Sequence, residues 1–173
     1  MNWLKRIPMD YYGELHDVKL IQFSVELDEL RPMLPAELNI RDFNGRGLIS
    51  MVNVQLKKMH PSFLHSSMGF NYQHVAFRLL LEDAPYNEDH NNKGIYFLKS
   101  FTTKPLVVHS GNLMTDYQLN TAKINEKNNL FELNFGDKYI RYAIGVGKPS
   151  ERKDWLKKEI KAIDRAYSVL APE

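Results

Sequence analysis

Residues 48–56 (LISMVNVQL) and residues 70–81 (FNYQHVAFRLLL) decide the fold of this chain. The first stretch follows the pair Asn44-Gly45, which marks a tight turn because both residues tolerate a positive φ. The second stretch alternates its side chains between two faces, and both faces are partly apolar. We interpret both stretches as long β-strands.

Working outward from these two stretches, the same patterns predict more strands and two helices. Further strands are predicted over residues 18–25, 94–101, 114–124, 130–135 and 139–146, with a turn at 136–138. A short helix is predicted over residues 28–34, capped by Asp28 and stopped by Pro35. Apolar residues spaced by three and four predict a C-terminal helix over about 150–170, with Ser150 as its cap. Strands dominate without regular βα alternation, so we expect a β-rich α+β fold in one domain spanning residues 1–173.

The composition excludes several classes of function. The chain has 23 Lys+Arg against 21 Asp+Glu, a balance that does not indicate a nucleic-acid or membrane partner. It has no cysteine, which excludes disulfides, thiol nucleophiles and cysteine metal sites. No signal peptide is readable, and no stretch approaches the ~20 apolar residues that cross a bilayer. We therefore expect a cytoplasmic protein with no cofactor, and the sequence leaves a homo-oligomer open.

Two motifs that suggest a site have simpler explanations. Residues 145–150 (GVGKPS) lack the first glycine of a P-loop and its Ser or Thr, so they are interpreted as a strand-to-helix turn. His60, His65 and His90 have no helical metal-ligand spacing, and we predict no metal site.

Polar residues inside the predicted strands are more informative. A buried polar group needs a hydrogen-bond partner, either within the fold or on a ligand. If the strands curl into a barrel, one set of side chains points into a cavity. The alternative is that these side chains face solvent or are satisfied within the fold. The ligand-binding candidates are Arg78, His74, Gln73, Asn53, Lys99 and Tyr117.

Three segments resemble the YqjF-like family, a domain of unknown function placed with the acetoacetate decarboxylases. They are residues 27–35 (LDELRPMLP), 43–50 (FNGRGLIS) and 93–98 (KGIYFL), and the resemblance covers about residues 18–124. It implies a mainly antiparallel, cone-like β-barrel with peripheral helices and a central pocket.

The resemblance breaks at the residues that perform decarboxylation. Those enzymes use a Schiff-base lysine beside a second lysine that lowers its pKa. A gapless match of residues 111–124 to that segment puts Leu119 and Asn120 at the two lysine positions, and the family's glutamate lies near Gln73. We therefore expect no catalytic residues of that mechanism and no acetoacetate decarboxylase activity.

Three functional hypotheses follow from this sequence. The first is a protein that binds a small organic, carboxylate-bearing molecule in a central pocket, with Arg78 as the anion partner. The second is a structural or interaction domain with a filled barrel and exposed aromatics such as Trp3, Tyr11 and Tyr12. The third is a residual Schiff-base enzyme that uses a displaced lysine, namely Lys99, Lys104 or Lys123.

Overall fold

The computed structural model describes residues 10–36, 38–82, 94–114 and 118–145. The elements within these ranges, in chain order, are β1 (Tyr11–Glu26), α1 (Leu27–Leu30), β2 (Arg46–Pro61), β3 (Phe70–Leu80), β4 (Ile95–Thr102), α2 (Pro105–Met114), β5 (Leu119–Thr121), β6 (Lys123–Lys127), β7 (Leu130–Phe135) and β8 (Lys138–Ala143). The β-rich α+β class is therefore confirmed. No helix in the described ranges is long and apolar enough to cross a membrane.

The strands form two sheets. The larger has the order β1-β2-β3-β4-β5 and the smaller has the order β6-β7-β8. All neighbouring strands are antiparallel except β4 and β5, which are parallel.

The strands are mainly antiparallel, as the family resemblance implies, but they do not close into the expected cone-like β-barrel among the described residues. The chain leaves the larger sheet at Ala122, whose amide donates to the carbonyl of Thr102 at 3.0 Å. The next strand, β6, pairs with β7 instead of continuing the ladder of β5. Because β5 is only three residues long, it provides little edge for a barrel to close on.

The turn prediction is correct, whereas the capping prediction is not. Asn44 and Gly45 have φ values of 58° and 81° at the turn that leads into β2. α1 begins after Glu26, which occupies the cap position without a side-chain hydrogen bond, so Asp28 lies inside the helix rather than at its cap. An acidic side chain in the first turn still favours the positive end of the helix.

The prediction of one strand over residues 114–124 is correct only in part. Met114 ends α2, a helix that the sequence patterns did not reveal, and two strands separated by Ala122 follow in place of one. Gly111 allows α2 to pack closely against β5, because a Cβ added there would lie 2.7 Å from the Leu119 side chain. The predicted helix over 150–170 lies outside the described residues.

The two faces of the larger sheet pack against different partners. On the front face, Met51, Val75 and Phe101 are buried together with Phe131 and Leu133 of β7, and this packing joins the two sheets. Full burial of a Leu or Phe side chain contributes about 1.5–3 kcal/mol each. The back face presents the alternate residues of the same strands, and helix α2 lies against its β4–β5 side.

Candidate functional site

The structure divides the candidate residues between the two faces of the larger sheet. Asn53, Gln73 and Lys99 lie on the front face, whereas His74 and Arg78 lie on the back face. Tyr117 lies outside the described residues. The candidates therefore do not form one site, and each face needs its own description.

On the front face, five side chains from five strands form an inter-sheet cluster of Lys19, Asn53, Gln73, Glu126 and Tyr142. The amide of Asn53, 1% exposed, donates to the Glu126 carboxylate at 3.1 Å and lies 3.5 Å from the Tyr142 hydroxyl. Gln73 donates to the Asn53 carbonyl oxygen at 3.0 Å and to Glu126 at 3.4 Å. Lys19 forms an ion pair with Glu126. The cluster thus joins β1, β2 and β3 to the smaller sheet.

The charges in the inter-sheet cluster are paired. The hydrogen bond to Glu126 raises the pKa of Lys19 above its usual value, and burial raises the pKa of the Tyr142 hydroxyl. The Lys19 and Glu126 side chains are 25% and 24% exposed. Gln73 cannot ionise, but the Glu126 carboxylate lies beside it. That carboxylate accepts hydrogen bonds from Asn53 and Gln73 and pairs with Lys19. The arrangement suits a structural clamp better than a general acid or base.

On the back face, five polar side chains form what we call the Arg78 patch, consisting of Gln22, Ser50, His74, Arg78 and Ser100. Gln22, Ser50 and Arg78 occupy one cross-strand row, and Gln22 donates to the Ser50 hydroxyl. Ser100 lies opposite Ala76, which is two residues along β3 from both His74 and Arg78. Diagonal neighbours of this kind have Cα atoms about 7–8 Å apart, which is within reach of long side chains.

The Arg78 patch is buried and incompletely satisfied. Ser100 is 0% exposed, and its hydroxyl has no hydrogen-bond partner among the described residues. The side-chain oxygen of Gln22 is also buried without a partner in those ranges. Burial, followed by the charge of Arg78, lowers the pKa of His74 to about 4, so this imidazole is neutral near pH 7. The patch therefore holds one positive charge among neutral side chains.

Leu119 and Asn120, which the sequence analysis places at the decarboxylase lysine positions, lie in different environments. Leu119 is 8% exposed on the back face and packs against Gly111 of α2. Asn120 lies opposite Phe101 and donates to the carbonyls of Gln118 and Ser100 at 2.9 and 3.3 Å.

The histidines form no metal site in the part of the chain that the structure describes. No group of three or more histidine, aspartate or glutamate side chains lies close enough there to hold an ion. The Nδ1 atom of His60 lies 2.5 Å from the Lys58 carbonyl oxygen, and the Nδ1 atom of His65 accepts a hydrogen bond from the backbone amide of Ser67. His90 lies outside the described ranges.

Sequence reasoning missed Lys19, Glu126, Ser50 and Ser100. One signal for Ser50 was present, because it interrupts the same apolar run as Asn53. Lys19 shares a strand face with Ile21, which made it an unusual charge on an apolar face. Glu126 had no such local signal, since its partner Asn53 lies 73 residues away.

Two solved structures resemble this fold. A crystal structure of acetoacetate decarboxylase from Legionella pneumophila subsp. pneumophila str. Philadelphia 1 matches with a TM-score of 0.56 and 12% identity, covering 87% of this chain and 55% of that one. A second acetoacetate decarboxylase structure matches with a TM-score of 0.54 and 14% identity, covering 86% and 58%. This chain thus spans a little over half the length of each, and the likeness is one of fold alone.

No curated protein matches the sequence at a significant level. The DUF2071 family, described as an uncharacterized conserved protein, matches residues 13–164, which is most of the chain. The chain therefore belongs to the DUF2071 family, and its fold resembles that of acetoacetate decarboxylase.

Proposed function

We propose that this protein binds a small organic carboxylate at the Arg78 patch and does not form a Schiff base with it. The observation that carries the proposal is the Ser100 hydroxyl, which is fully buried and has no hydrogen-bond partner among the described residues. A hydroxyl buried in this way costs free energy unless a partner satisfies it. A bound ligand oxygen would supply that partner.

The charge of the Arg78 patch supports an anionic ligand. Its one cation, Arg78, is a guanidinium whose planar fork suits a carboxylate. The neighbouring His74 is neutral near pH 7 because its pKa is lowered to about 4. None of the described residues that form the patch is acidic. A monovalent carboxylate matches this charge, and the buried Ser100 hydroxyl is a further hydrogen-bonding group.

The absence of Schiff-base chemistry is supported by the residues at the aligned lysine positions. Leucine has no amine, and Leu119 is packed under α2. Lys19 and Lys99 project from the opposite face of the sheet, away from the Arg78 patch. Imine formation needs an unprotonated amine beside the bound ketone.

The test uses acetoacetate as the trial ligand. A ligand at about 100 times its Kd adds about 2.7 kcal/mol of stability, which raises Tm by about 5–10 °C in a domain of this size. We expect acetoacetate to raise the Tm of the wild-type chain and of the control variant Arg141→Met, but not that of Arg78→Met. Arg141 is a suitable control because its side chain is 61% exposed and pairs with Glu132 on the surface.

The same samples test the chemistry. Borohydride reduction in the presence of acetoacetate, followed by intact-mass measurement, should leave the mass unchanged. A stoichiometric adduct on a single lysine would overturn the proposal and favour the residual-enzyme hypothesis. If acetoacetate stabilises Arg78→Met and the wild type equally, the carboxylate does not bind at the Arg78 patch and the proposed site is wrong.

One observation favours the second hypothesis, an interaction domain. Tyr12, Phe63 and Phe70 are 58%, 70% and 45% exposed around the end of the β1–β2–β3 sheet. Exposed aromatic side chains that lie close together are typical of partner surfaces. Failure of every carboxylate to stabilise the wild-type chain, together with self-association that is lost in Phe63→Ser, would favour this function.

A further inference from the structure

A second candidate site lies on the front face, in a cleft between the β4–β5 side of the larger sheet and the β7–β8 turn. The cleft encloses about 360 Å³, at the lower end of the range for small-ligand sites. We call it the Lys99 cleft, and the lining residues that matter here are Lys99, Phe101, Asn120, Phe135, Asp137 and Lys138. It is separate from the Arg78 patch, because Lys99 and Arg78 project from opposite faces of the sheet.

A β-bulge directs Lys99 into this cleft. Phe77 and Arg78 of β3 pair with Lys99 and Phe97 of β4, so Leu98 is an extra residue without a partner. The extra residue reverses the alternation of β4, and this places Lys99 on the front face among aromatic side chains. Bulges that re-aim a side chain in this way are common beside binding sites.

Within the described part of the chain, the ammonium of Lys99 has no acidic partner. Its Nζ atom lies 5.9 Å from the centre of the Phe135 ring, and no carboxylate lies within ion-pair distance in residues 10–36, 38–82, 94–114 and 118–145. The cleft also contains Lys138 and Asp137, so its side chains carry a net charge of +1. That charge matches a monoanion such as a carboxylate better than a phosphate dianion.

The floor of the Lys99 cleft is aromatic. The rings of Phe101 and Phe135 lie 4.6 Å apart at 37°, and Phe77 contacts Phe101 edge-on at 6.3 Å. Phe101 is only 2% exposed, whereas Phe135 is partly exposed and offers its ring to the cleft. A planar ring that stacks in this position is stabilised beyond the burial of its area.

From these contacts we propose that the Lys99 cleft binds a small planar aromatic carboxylate. The ring of the ligand stacks on Phe135, and its carboxylate pairs with the ammonium of Lys99. Asp137 weakens the binding, because its carboxylate repels the ligand's charge.

The test is isothermal titration calorimetry of the full chain with 2-naphthoate. We expect Lys99→Met to weaken binding at least tenfold, whereas Lys127→Met should change it less than twofold. The control Lys127→Met removes the same charge, but Lys127 lies at the end of β6 that is farthest from the β7–β8 turn. The neutral 2-naphthamide should bind at least tenfold more weakly, and Asp137→Asn should tighten naphthoate binding about threefold.

Nuclear magnetic resonance of the wild-type chain tests the location without any variant. The amide signals of Thr121 and Gly136, both in the cleft lining, should shift most on titration with 2-naphthoate. The proposal is overturned by the absence of binding at millimolar ligand, by equal affinity for acid and amide, or by displacement with equimolar phosphate. It is also overturned if Arg78→Met, rather than Lys99→Met, abolishes binding.

Discussion

Replacement of Asn53 by aspartate tests whether the inter-sheet cluster joins the two sheets. The substitution keeps the shape and the acceptor oxygen that Gln73 uses, but it exchanges the donating amide for a carboxylate oxygen. That oxygen would face the Glu126 carboxylate across the 3.1 Å that now separates the amide nitrogen from it. Two like charges at this distance repel by about 5 kcal/mol at an effective dielectric constant of about 20. Because Lys19 is nearby and offsets part of this repulsion, we expect Asn53→Asp to destabilise the fold by about 2–4 kcal/mol at pH 7.

The destabilisation caused by Asn53→Asp should depend on pH, in a direction set by the pKa of the introduced carboxyl group. Burial beside Glu126 raises the pKa of the introduced carboxyl group above its ordinary value of about 3.9. A carboxyl group whose pKa is raised by folding destabilises the protein above that pKa and ceases to do so below the unfolded value. The difference in unfolding free energy between wild type and Asn53→Asp should therefore shrink from pH 7 to pH 4.

The measurement is urea unfolding of four proteins at both pH values, namely the wild type, Asn53→Asp, Glu126→Gln and the double variant. We expect an interaction energy of about 2 kcal/mol between the two positions. The control Asn53→Leu removes the hydrogen bonds without adding charge and should cost about 1–3 kcal/mol at either pH. A loss below about 0.5 kcal/mol in Asn53→Asp, or an equal loss with and without Glu126→Gln, would refute the electrostatic argument.

Two further predictions concern packing and acid stability. Gly69→Ala should destabilise the fold by at least about 2 kcal/mol in urea unfolding, because the added Cβ would lie 2.5 Å from the Lys58 carbonyl carbon. Gly145→Ala is the control and should be nearly neutral, because no described atom lies within 4 Å of its added Cβ. His74 has a folded pKa of about 4, below its unfolded value of about 6.5, so the unfolded state takes up a proton first as pH falls. The wild type should consequently lose up to about 3 kcal/mol between pH 6.5 and pH 4, and His74→Gln should lose less over that window. Equal losses in the two proteins would contradict the lowered pKa of this imidazole.

The elements that the sequence predicts well are those fixed by local chemistry. The alternating pattern over residues 48–56 and 70–81 indicates strands because at least half of the positions on each face are apolar and polar residues interrupt both faces only singly or in pairs. Asn44-Gly45 indicates its turn because few other pairs adopt two positive φ values. These features need no knowledge of distant residues.

What the sequence does not reveal depends on contacts between distant segments. Helix α2 packs on β4 and β5, and β5 pairs with β4 only as far as Thr121. The apolar pattern of residues 114–124 carries no sign of these contacts, so it favoured one strand. The partners of Asn53 and Gln73 also come from β6, far along the chain. The position of Lys99 is set by the bulge at Leu98, and a one-residue bulge leaves no clear mark in an apolar run.

The two aligned lysine positions show how this fold separates groups that a sequence match places side by side. Successive residues of a strand project to opposite faces, so Leu119 lies on the back face under α2 while Asn120 lines the Lys99 cleft. A buried amine at Leu119 would lie against Gly111 in apolar surroundings, whereas the amine of Lys99 already lies in the cleft beside Asn120. The two proposed carboxylate sites thus lie on opposite faces of the larger sheet, with Arg78 in one and Lys99 in the other. Under both proposals one cation pairs with one carboxylate, and neither Leu119 nor Asn120 supplies the amine that Schiff-base decarboxylation requires.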